Sequence, residues 1–391
     1  MEDVFVVEAL RTPFGSFGGV LADVPAPRLA ATVIRALLEK TGVAPSDVDE
    51  MIAGQVITGG AGQAPARQAM RFAGLPDSVP AMTINKVCGS GLKAIMLGAG
   101  SIRLGESQVV VAGGMENMSL APYVLPAARF GMRLGNGEAV DLLINDALLD
   151  PYSGRHMGEI AEARAAAHEL SRAEQDAYAV DSYRRAQKAL KEGLFAAETV
   201  PVIKEGRKGN VTVDADEEPL RVDFDKLAAL KPVFVKDGTI TAGNASTIND
   251  GAAFALLAGA GAVKRLGLKP KARLVASATC SLPPDHFPDA PVGAIERVCA
   301  RAGLSPAEIG RYEINEAFAA VALIAIKTLG LDRQRVNVNG GAVAIGHPVG
   351  ASGGRLVATL LAEMERSGER YGLATLCIGG GEAVAAIFER V

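Results

Sequence analysis

The stretch Val336–Gly354, VNVNGGAVAIGHPVGASGG, decides how the rest of the chain is interpreted. Its first residues, Val336–Val338, are predicted to form a short apolar strand that runs into a glycine-rich loop. The glycines allow the backbone to adopt positive φ angles and to pass close to a ligand. A single histidine, His347, lies in this loop, and the apolar spacing of a helix follows over Ala351–Glu365. The stretch therefore predicts a histidine that is presented at a strand-to-helix joint.

The order of predicted elements around this stretch occurs twice in the chain. In the C-terminal part, strand and helix alternate through the helix after His347, and two further strands follow. The first half has the same order if Gly251–Ala258 is its last strand, which makes roughly Gly113–Asp250 an insertion. Such alternation favours an α/β fold with parallel-rich sheets covered by helices. The predicted strands are, in chain order, Val4–Val7, Met51–Ile57, Val79–Ile84, Gln108–Ala112, Gly251–Ala258, Ala272–Ala278, Arg311–Ile314, Val336–Val338, Leu373–Ile378 and Ala383–Glu389.

The repeat makes a geometric prediction about three side chains. Cys88 precedes the third helix of the first half, and His347 occupies the same joint in the second half. Cys377 lies between the last two strands of the second half, at the joint that holds the insertion in the first half. Because ligands bind at the carboxyl ends of parallel strands, we expect the three side chains to meet beneath the inserted segment.

Each of these residues has a glycine-rich context that suits nucleophilic chemistry. Cys88 stands directly before a helix, whose free N–H groups are expected to lower the thiol pKa from its usual value of about 8.5. His347, with an ordinary pKa of about 6.5, could take the thiol proton and return it to a leaving group. Cys377 precedes Gly379-Gly380-Gly381, where a second thiol could act as a base and the N–H groups could hold an oxyanion. The alternatives are a buried structural cysteine, a hydrogen-bonded structural histidine and a tight glycine turn.

Two further polar residues are candidates for the same site. Asn315 stands at another predicted strand-to-helix joint, where it is either a helix N-cap or an amide that orients a water or an oxyanion. Among the other histidines, His156 is the remaining candidate, because His168 falls within a predicted helix and His286 in a proline-rich loop.

Composition excludes several classes of protein. The chain has 391 residues, 49% of them hydrophobic and 21% charged, which is sufficient for a globular core. Its net charge is −4 and it has no tryptophan, which argues against nucleic acid as a partner. The beginning of the chain resembles neither a signal peptide nor a transit peptide, and no apolar run is long enough to span a membrane. The four cysteines form neither a C-x-x-C pair nor a cluster with histidine, so we expect no disulfide framework, no metal site and a cytoplasmic location.

A dinucleotide-binding protein is a rival interpretation from another class. Gly89-Ser90-Gly91-Leu92-Lys93-Ala94 matches G-x-G-x-x-A between a predicted strand and a helix, and the acidic Glu116 follows. The motif is not in the first strand-to-helix turn, where that fingerprint belongs, and it leaves the two cysteines and His347 unexplained. A non-catalytic acyl-carrier or interaction protein is a third interpretation. It is disfavoured because such a protein would not need two glycine-flanked cysteines.

With these motifs in place, the chain resembles the thiolase family, in particular its biosynthetic type. The similarity runs from Arg11–Gly15 to Cys377–Gly381 and is carried by Asn85–Gly91, by Ala112–Met118 (AGGMENM), by Asn249–Ala252, by Asn315–Phe318 and by Gly346–Pro348. The resemblance implies duplicated βαβαβαββ halves in a layered α-β-α-β-α core. It places the N-terminal half in residues 1–117 and 251–270, an inserted coenzyme A-binding loop domain in 118–250, and the C-terminal half in 271–391.

The resemblance also implies a role for each motif residue. Cys88 would carry the acyl group, His347 would activate it, and Cys377 would be the base and acid for the second acetyl-CoA. Asn315 and His347 would hold a water in one oxyanion hole, and the N–H groups of Cys88 and Gly379 would form the other. Coenzyme A would contact Leu148, His156, Met157, Arg221, Ala242, Ser246, Ala317 and Phe318.

The implied reaction is a ping-pong Claisen condensation of two acetyl-CoA molecules to acetoacetyl-CoA and CoA, reversible as thiolysis. No metal and no permanently bound cofactor are implied, and coenzyme A thioesters are the substrates. The resemblance further implies a homotetramer and a place in fatty acid metabolism, and we expect neither nucleic acid nor membrane as a partner. The alternatives are a degradative 3-ketoacyl-CoA thiolase of broader chain length and a ketoacyl-synthase-like enzyme, although ketoacyl synthases use one cysteine with two histidines.

Two departures from the family pattern lie near the predicted site. Phe287-Pro288-Asp289-Ala290-Pro291 replaces the usual Met-Gly-x-Gly-Pro loop, which leaves the preferred acyl chain open. Glu382-Ala383 follows the glycine run where the family has a small or apolar pair that ends in glycine. A carboxylate there would raise the pKa of Cys377 if it pointed inward, and we expect it to point outward.

Overall fold

The computed structural model describes residues 2–205 and 209–391 of the chain. Its large sheet has ten strands, of which the two-residue strand Gly15–Ser16 is the shortest. The others are β1 (Val4–Arg11), β2 (Glu50–Gly54), β3 (Ala81–Ile84), β4 (Val109–Asn117), β5 (Asn249–Gly259), β6 (Ala272–Ser281), β7 (Arg311–Ile314), β8 (Tyr371–Ile378) and β9 (Glu382–Arg390). The helices are α1 (Ala26–Thr41), α2 (Pro65–Ala73), α3 (Ser90–Leu104), α4 (Met157–Ala167), α5 (Arg172–Lys191), α6 (Phe224–Leu227), α7 (Ala260–Leu266), α8 (Ala290–Ala302), α9 (Ala319–Leu329), α10 (Ala342–Ile345) and α11 (Ser352–Ser367).

The predicted repeat is visible in the order and direction of the strands. From its outer edge, the first half of the sheet runs β3-β2-β4-β5-β1, and the second runs β7-β8-β9-β6. Equivalent pairs have the same direction, because β2–β4 and β7–β8 are parallel whereas β4–β5 and β8–β9 are antiparallel. The halves meet where β1 pairs with β6 at Phe5 and Val6. The chain thus contains the same supersecondary unit twice, as the sequence indicated.

The prediction of a strand over Val336–Val338 is wrong. At this position Val336 alone forms a bridge to Tyr312 of β7. The next residue, Asn337, has a φ of 46°, which an extended strand does not allow. The Asn337 side chain makes the hydrogen bonds to β7 that a paired strand would otherwise make through its backbone. Its Nδ2 donates to the Ile314 carbonyl and its Oδ1 accepts the Ile314 N–H, each at 2.8 Å. The bounds of several other strands also differ from prediction: Met51–Ile57 stops at Gly54, whereas Val4–Val7, Gln108–Ala112 and Ala272–Ala278 continue to Arg11, Asn117 and Ser281.

Three of the apolar core clusters lie between the sheet and the helices that form five layers with it. Helices α1 and α2 cover the outer face of the first half of the sheet, as shown by Leu29, Val33 and Met70 packing with Phe254. Helices α3 and α11 lie between the two halves of the sheet and contact both. Helices α8 and α9 cover the far side of the second half. This is the α-β-α-β-α arrangement that the resemblance implied.

Glycine allows the two central helices to touch at their N-termini. A Cβ at Gly353 of α11 would lie 2.1 Å from the backbone nitrogen of Leu92 in α3. A Cβ at Gly91 of α3 would lie 2.8 Å from the nitrogen of Gly354. Neither distance is sterically possible, so the close approach requires glycine at both positions. The contact brings together the ends of the helices that follow Cys88 and His347.

The segment between β4 and β5 contains α4, α5, α6 and two small antiparallel sheets. Buried polar contacts anchor it to both halves. The guanidinium of Arg11 in β1 binds Glu198 at 2.6 Å and Asp216 at 2.7 Å. The carboxylate of Glu316 accepts hydrogen bonds at 2.8 Å from Tyr178 and Ser182 of α5. Across residues 2–205 and 209–391, none of the helices combines the length and apolarity that a membrane crossing requires.

Candidate active site

Cys88 lies in a strained turn between β3 and α3. The preceding residue, Val87, has a φ of 45°, an outlying conformation for a β-branched side chain. Local hydrogen bonds hold the turn: Asn85 Oδ1 accepts the Val87 N–H at 2.9 Å, and Ser90 Oγ accepts the Lys86 N–H at 2.7 Å. These hydrogen bonds therefore hold the strained turn that presents Cys88 at the N-terminus of α3.

His347 is buried in the loop between α10 and α11, and its Nδ1 contacts a serine hydroxyl. Ser352 Oγ lies 2.9 Å from the carbonyl of Pro348 and 2.5 Å from His347 Nδ1. We assign the hydroxyl proton of Ser352 to the bond with Pro348 and the imidazole hydrogen to Nδ1, which then donates to Oγ. Nε2 is then left with its lone pair, which is the form that a general base requires. The backbone N–H of His347 is held by Asn249 Oδ1 at 2.9 Å.

Cys377 is the penultimate residue of β8 and is 1% exposed. The turn that follows it contains Gly380 and Gly381 at φ angles of 91° and 87°, which favour glycine. The N–H of Gly379 faces the sulfur of Cys88, so the glycine turn contributes a donor to the first cysteine as well as carrying the second.

One cavity of about 250 Å³ connects these residues. Cys88, His347, Cys377 and Gly379 all contribute to its wall. The rest of the lining is mainly apolar and includes Met118, Ala147, Val349 and Ile248. The structure therefore brings the joints at Cys88, His347 and Cys377 together at one cavity, as the repeat predicted.

Asn315 lies beside this cavity with its amide directed at His347. Its Nδ2 is 3.4 Å from His347 Nε2, and its buried Oδ1 has no hydrogen-bond partner within residues 2–205 and 209–391. Helix α9 begins at Ala319 with Phe318 as its N-cap, so the interpretation of Asn315 as a helix cap is wrong. An amide with an unpaired buried oxygen beside an imidazole is suited to holding a water or a substrate oxygen.

The expected low pKa of Cys88 is wrong. Burial raises the pKa of the Cys88 thiol to about 11, and the N–H groups of Gly379 and of Cys88 itself offset only part of this effect. Burial also lowers the pKa of His347 to about 3, with a smaller contribution from the charge of Arg355. The pKa of Cys377 is raised well above the usual range, first by burial and then by the neighbouring Cys88. The site at rest accordingly has neutral thiols and a neutral imidazole on the wall of one cavity.

The residues predicted to bind coenzyme A follow one path from this cavity to the surface. Six of them contribute to the cavity that contains Cys88, namely Leu148, His156, Met157, Ser246, Ala317 and Phe318. Ser246 also lines a second pocket, together with Arg221 and Ala242. Arg221 and Ala242 continue into a third pocket with Lys226 and Gly243. The outermost of these pockets carries both basic side chains, Arg221 and Lys226, and acidic ones, Glu218 and Asp223.

Sequence reasoning missed several residues of this site. Phe234 stacks on the His156 ring, with 4.8 Å between the ring centroids, and packs edge-on against Phe318 at 6.0 Å. Ser352 was missed although it belongs to the opening stretch and stands one turn after Pro348. No pattern in the sequence indicates Phe234, because it follows a loop with no helical or strand period.

The two departures from the family pattern occupy different positions. Phe287 is 2% exposed and lines the cavity against Phe318, with 6.4 Å between the ring centroids. Glu382 points away from Cys377, as expected, because Ala383 is the residue opposite Cys377 in the β8–β9 ladder and neighbouring side chains alternate in direction. Its carboxylate binds Lys86 and accepts a hydrogen bond from Ser281 Oγ at 3.1 Å.

The dinucleotide interpretation is not supported by the residues that suggested it. Glu116 is buried, and its carboxylate accepts the N–H groups of Val56, Ile57 and Gly350 at 2.9–3.2 Å. It cannot therefore present free oxygens to a ribose. Gly91 is required by the contact between α3 and α11, which accounts for the glycine pattern without a pyrophosphate.

Comparison with known proteins agrees with this architecture and site. Two family models match the chain, the thiolase N-terminal domain over residues 4–260 and the thiolase C-terminal domain over residues 268–390. The chain belongs to the thiolase family.

The individual relatives are similar over their whole length. The acetyl-CoA acetyltransferases of Chromobacterium violaceum and Pseudomonas aeruginosa are each 52% identical to the chain, covering 99% and 100% of it and 100% of each relative. The acetyl-CoA acetyltransferase of Schizosaccharomyces pombe is 47% identical over 100% of the chain and 99% of the relative. The crystal structure of the Bacillus anthracis acetyl-CoA acetyltransferase matches with a TM-score of 0.98 and 42% identity, covering 100% of this chain and 99% of that one.

Proposed function

We propose that the chain catalyses the reversible condensation of two acetyl-CoA molecules to acetoacetyl-CoA and CoA through an acetylated Cys88. Relatives named acetyl-CoA acetyltransferase are 52% identical to it over its whole length, which supports this activity. The observation that carries the proposal is the cavity in which Cys88, Cys377 and His347 come together.

In the first half-reaction Cys88 Sγ attacks the thioester carbonyl of acetyl-CoA. The Nε2 lone pair of His347 takes the thiol proton and then gives it to the departing CoA sulfur, so the imidazole ends neutral, as it began. A carbon–sulfur bond to CoA is exchanged for one to Cys88. The N–H groups of Cys88 and Gly379 face this sulfur and would hold the oxygen that becomes negative during the attack.

In the second half-reaction Cys377 would give its thiol proton to the neutral imidazole of His347 in the same cavity, and the thiolate would remove an α-proton from a second acetyl-CoA. The resulting carbanion attacks the acetyl carbonyl on Cys88, a carbon–carbon bond forms, and the Cys88 thiolate leaves and takes the proton from His347, so that both cysteines and the imidazole end neutral. The enolate oxygen would be stabilised by a water that Asn315 and His347 hold. Each well-placed donor of this kind is typically worth about 3–4 kcal/mol of barrier.

The inserted segment, residues 118–250, is proposed to bind coenzyme A. The pantetheine arm would follow the apolar cavity past Met157, His156 and Ser246, and the nucleotide would lie in the outer pockets. The outermost pocket is lined by Arg221 and Lys226 together with Glu218 and Asp223, and Lys226 is paired with Asp223 at 2.7 Å. Arg221 is therefore the residue proposed to bring positive charge to the phosphates of coenzyme A. This path accounts for all eight residues that the resemblance implied.

The acyl pocket favours a short chain over the broader chain length of a degradative thiolase. Phe287 stands where the family usually has a flexible methionine, and it packs against Phe318 within the cavity that contains Cys88. A rigid ring leaves less room for additional methylene groups. A ketoacyl-synthase-like activity is disfavoured because the second position beside Cys88 is occupied by Cys377 rather than by a second histidine.

A homotetramer is proposed from apolar side chains that face solvent in the single chain. Residues 120–134 expose Tyr123, Leu125 and Phe130, and Leu134 is 100% exposed. The edge strand β3 exposes Met82 as well. Large apolar side chains that are exposed in the single chain are typical of subunit contacts. The four free cysteines agree with a reducing, cytoplasmic location.

The activity is tested with purified chain, acetoacetyl-CoA and free CoA. We expect loss of the acetoacetyl-CoA absorbance and formation of acetyl-CoA, with no turnover in Cys88→Ser. Turnover by Cys88→Ser at the wild-type rate would refute the proposal, and saturable binding of NAD(H) in a fluorescence titration would favour the rival class.

A further inference from the structure

Asp289 makes a contact that its sequence position does not predict. It directly precedes α8, where an aspartate ordinarily caps the helix, yet its side chain makes no capping hydrogen bond. The carboxylate instead faces α4 of the inserted segment. Arg164 donates two parallel hydrogen bonds to the Asp289 carboxylate, from Nε to Oδ2 at 2.7 Å and from Nη2 to Oδ1 at 3.0 Å. His168, which ends the same helix, binds Oδ1 as well.

We call this contact of Asp289 with Arg164 and His168 the clamp. It is stronger than an ordinary surface ion pair. The two side chains of the pair are 21% and 17% exposed, so solvent screens them only partly. The two-pronged geometry of a guanidinium on a carboxylate fixes orientation as well as distance. Arg164 Nη1 also reaches His286 Nε2 at 3.3 Å, in the same loop as Asp289. The segment 284–289 is therefore held to α4 at two points.

The clamp is coupled to the acyl pocket through a stiff connection. Pro288, with its fixed φ, is the only residue between Asp289 and Phe287. Consecutive turns join the segment, in which the Asp289 N–H binds the His286 carbonyl at 3.0 Å. Phe287 packs in one cluster with Met157, Phe318 and Cys377. A displacement of Asp289 would consequently be transmitted to the ring that lines the cavity.

Helix α4 contributes to the same cavity from its other end. Its N-cap His156 and first residue Met157 line the wall, and a capping box with Glu159 fixes that end of the helix. Arg164 lies two turns further along the same helix. One rigid helix thus positions the wall contributed by the inserted segment and, through Arg164, the wall contributed by Phe287.

We propose that Asp289 is a positioning residue that limits the length of the acyl chain, because its clamp on Arg164 and His168 holds Phe287 in the wall of the acyl pocket. The inference rests on the proposed function and deepens it. Asp289 does not touch the reacting atoms, and its effect acts through Phe287. Loss of the clamp releases the segment 284–289, lets the ring withdraw and admits longer 3-ketoacyl chains.

The test compares thiolysis of acetoacetyl-CoA and 3-ketohexanoyl-CoA by the wild type, Asp289→Asn and Arg164→Gln. Asparagine keeps the shape of Asp289 but removes its charge. We expect both variants to raise the kcat/KM ratio of the longer to the shorter substrate by about tenfold, which is the scale of discrimination that a pocket wall provides per methylene. Asp285→Asn is the matched control, because this acid lies in the same segment and its ionic contacts, to Arg155 and His286, are both 4.0 Å long.

The outcomes separate this inference from the proposed function. Acetylation of Cys88 by acetyl-CoA is measured by mass spectrometry in every protein, and its absence from the wild type would remove the proposed function itself. If Cys88 is acetylated in all of them and the ratio stays at the wild-type value in Arg164→Gln, the inference is wrong. A purely structural role would lower kcat/KM for both substrates equally. The charge-exchanged pair Arg164→Asp with Asp289→Arg should restore the wild-type ratio, and failure to do so would also count against the clamp.

Discussion

Ser352→Ala removes the hydroxyl that sets the tautomer of His347. In the wild type, Ser352 Oγ donates to Pro348 and accepts from His347 Nδ1 at 2.5 Å, which leaves Nε2 free to accept a proton. The imidazole is buried and its pKa is lowered to about 3, so both tautomers of the variant are neutral at physiological pH. Without the hydroxyl, the Nδ1–H is a buried donor that has lost its partner.

The size of the effect follows from the cost of that lost partner. A buried donor without a partner costs about 1–3 kcal/mol. Because about 1.4 kcal/mol corresponds to a factor of ten, the tautomer with a free Nε2 loses roughly 5- to 150-fold in population relative to the other. The Nε2–H tautomer can instead donate toward Asn315 Oδ1, which would gain a partner if the amide turns over. We therefore expect Cys88 to be acetylated roughly 5- to 150-fold more slowly.

The assay is rapid mixing with acetyl-CoA followed by acid quench and intact-protein mass spectrometry. Ser101→Ala is the control, because Ser101 lies near the far end of α3 and bonds Glu50 rather than a site residue. The acetylation rate should be unchanged in the control and reduced in Ser352→Ala. A wild-type rate in Ser352→Ala, with the fold intact by circular dichroism, would refute the assignment of the tautomer.

Three other predictions follow from the same geometry. Cys377→Ala should still become acetylated at Cys88 but form no acetoacetyl-CoA, and condensation by this variant would exclude Cys377 as the base. The acetylation rate should stay flat from about pH 5 to about pH 9, because His347 gains a proton only near pH 3 and Cys88 loses one only near pH 11; an inflection near pH 6.5 would contradict the neutral pair. Gly353→Ala should lower the free energy of unfolding by about 1–3 kcal/mol, because its Cβ meets the α3 backbone, whereas Gly100→Ala, with open space around its Cβ, should raise it by about 0.5–1 kcal/mol. Equal melting temperatures in the two glycine variants would argue against the α3–α11 contact.

The sequence predicted the features that depend on periodicity and order. The repeat, the insertion and the joints at Cys88, His347 and Cys377 were readable because each element has its own apolar period and its own glycine or capping signal. The third strand of the second half was not readable, since its hydrogen bonds come from the Asn337 side chain rather than from an extended backbone.

The electrostatics of the site could not be read from the sequence either. A helix N-terminus lowers the pKa of an exposed cysteine, but the burial that raises the pKa of Cys88 to about 11 arises from residues distant in the chain. The clamp of Asp289 on Arg164 joins residues 125 positions apart, and no local pattern indicates it.

The acetylation state of Cys88 tests the central claim most directly. After brief mixing with acetyl-CoA and digestion, mass spectrometry should find one acetyl group on the peptide that contains Cys88, and free CoA should chase it off. The same peptide should stay unmodified in His347→Ala over that time. An acetyl group located on Cys377 instead, or no modification at all, would contradict the account.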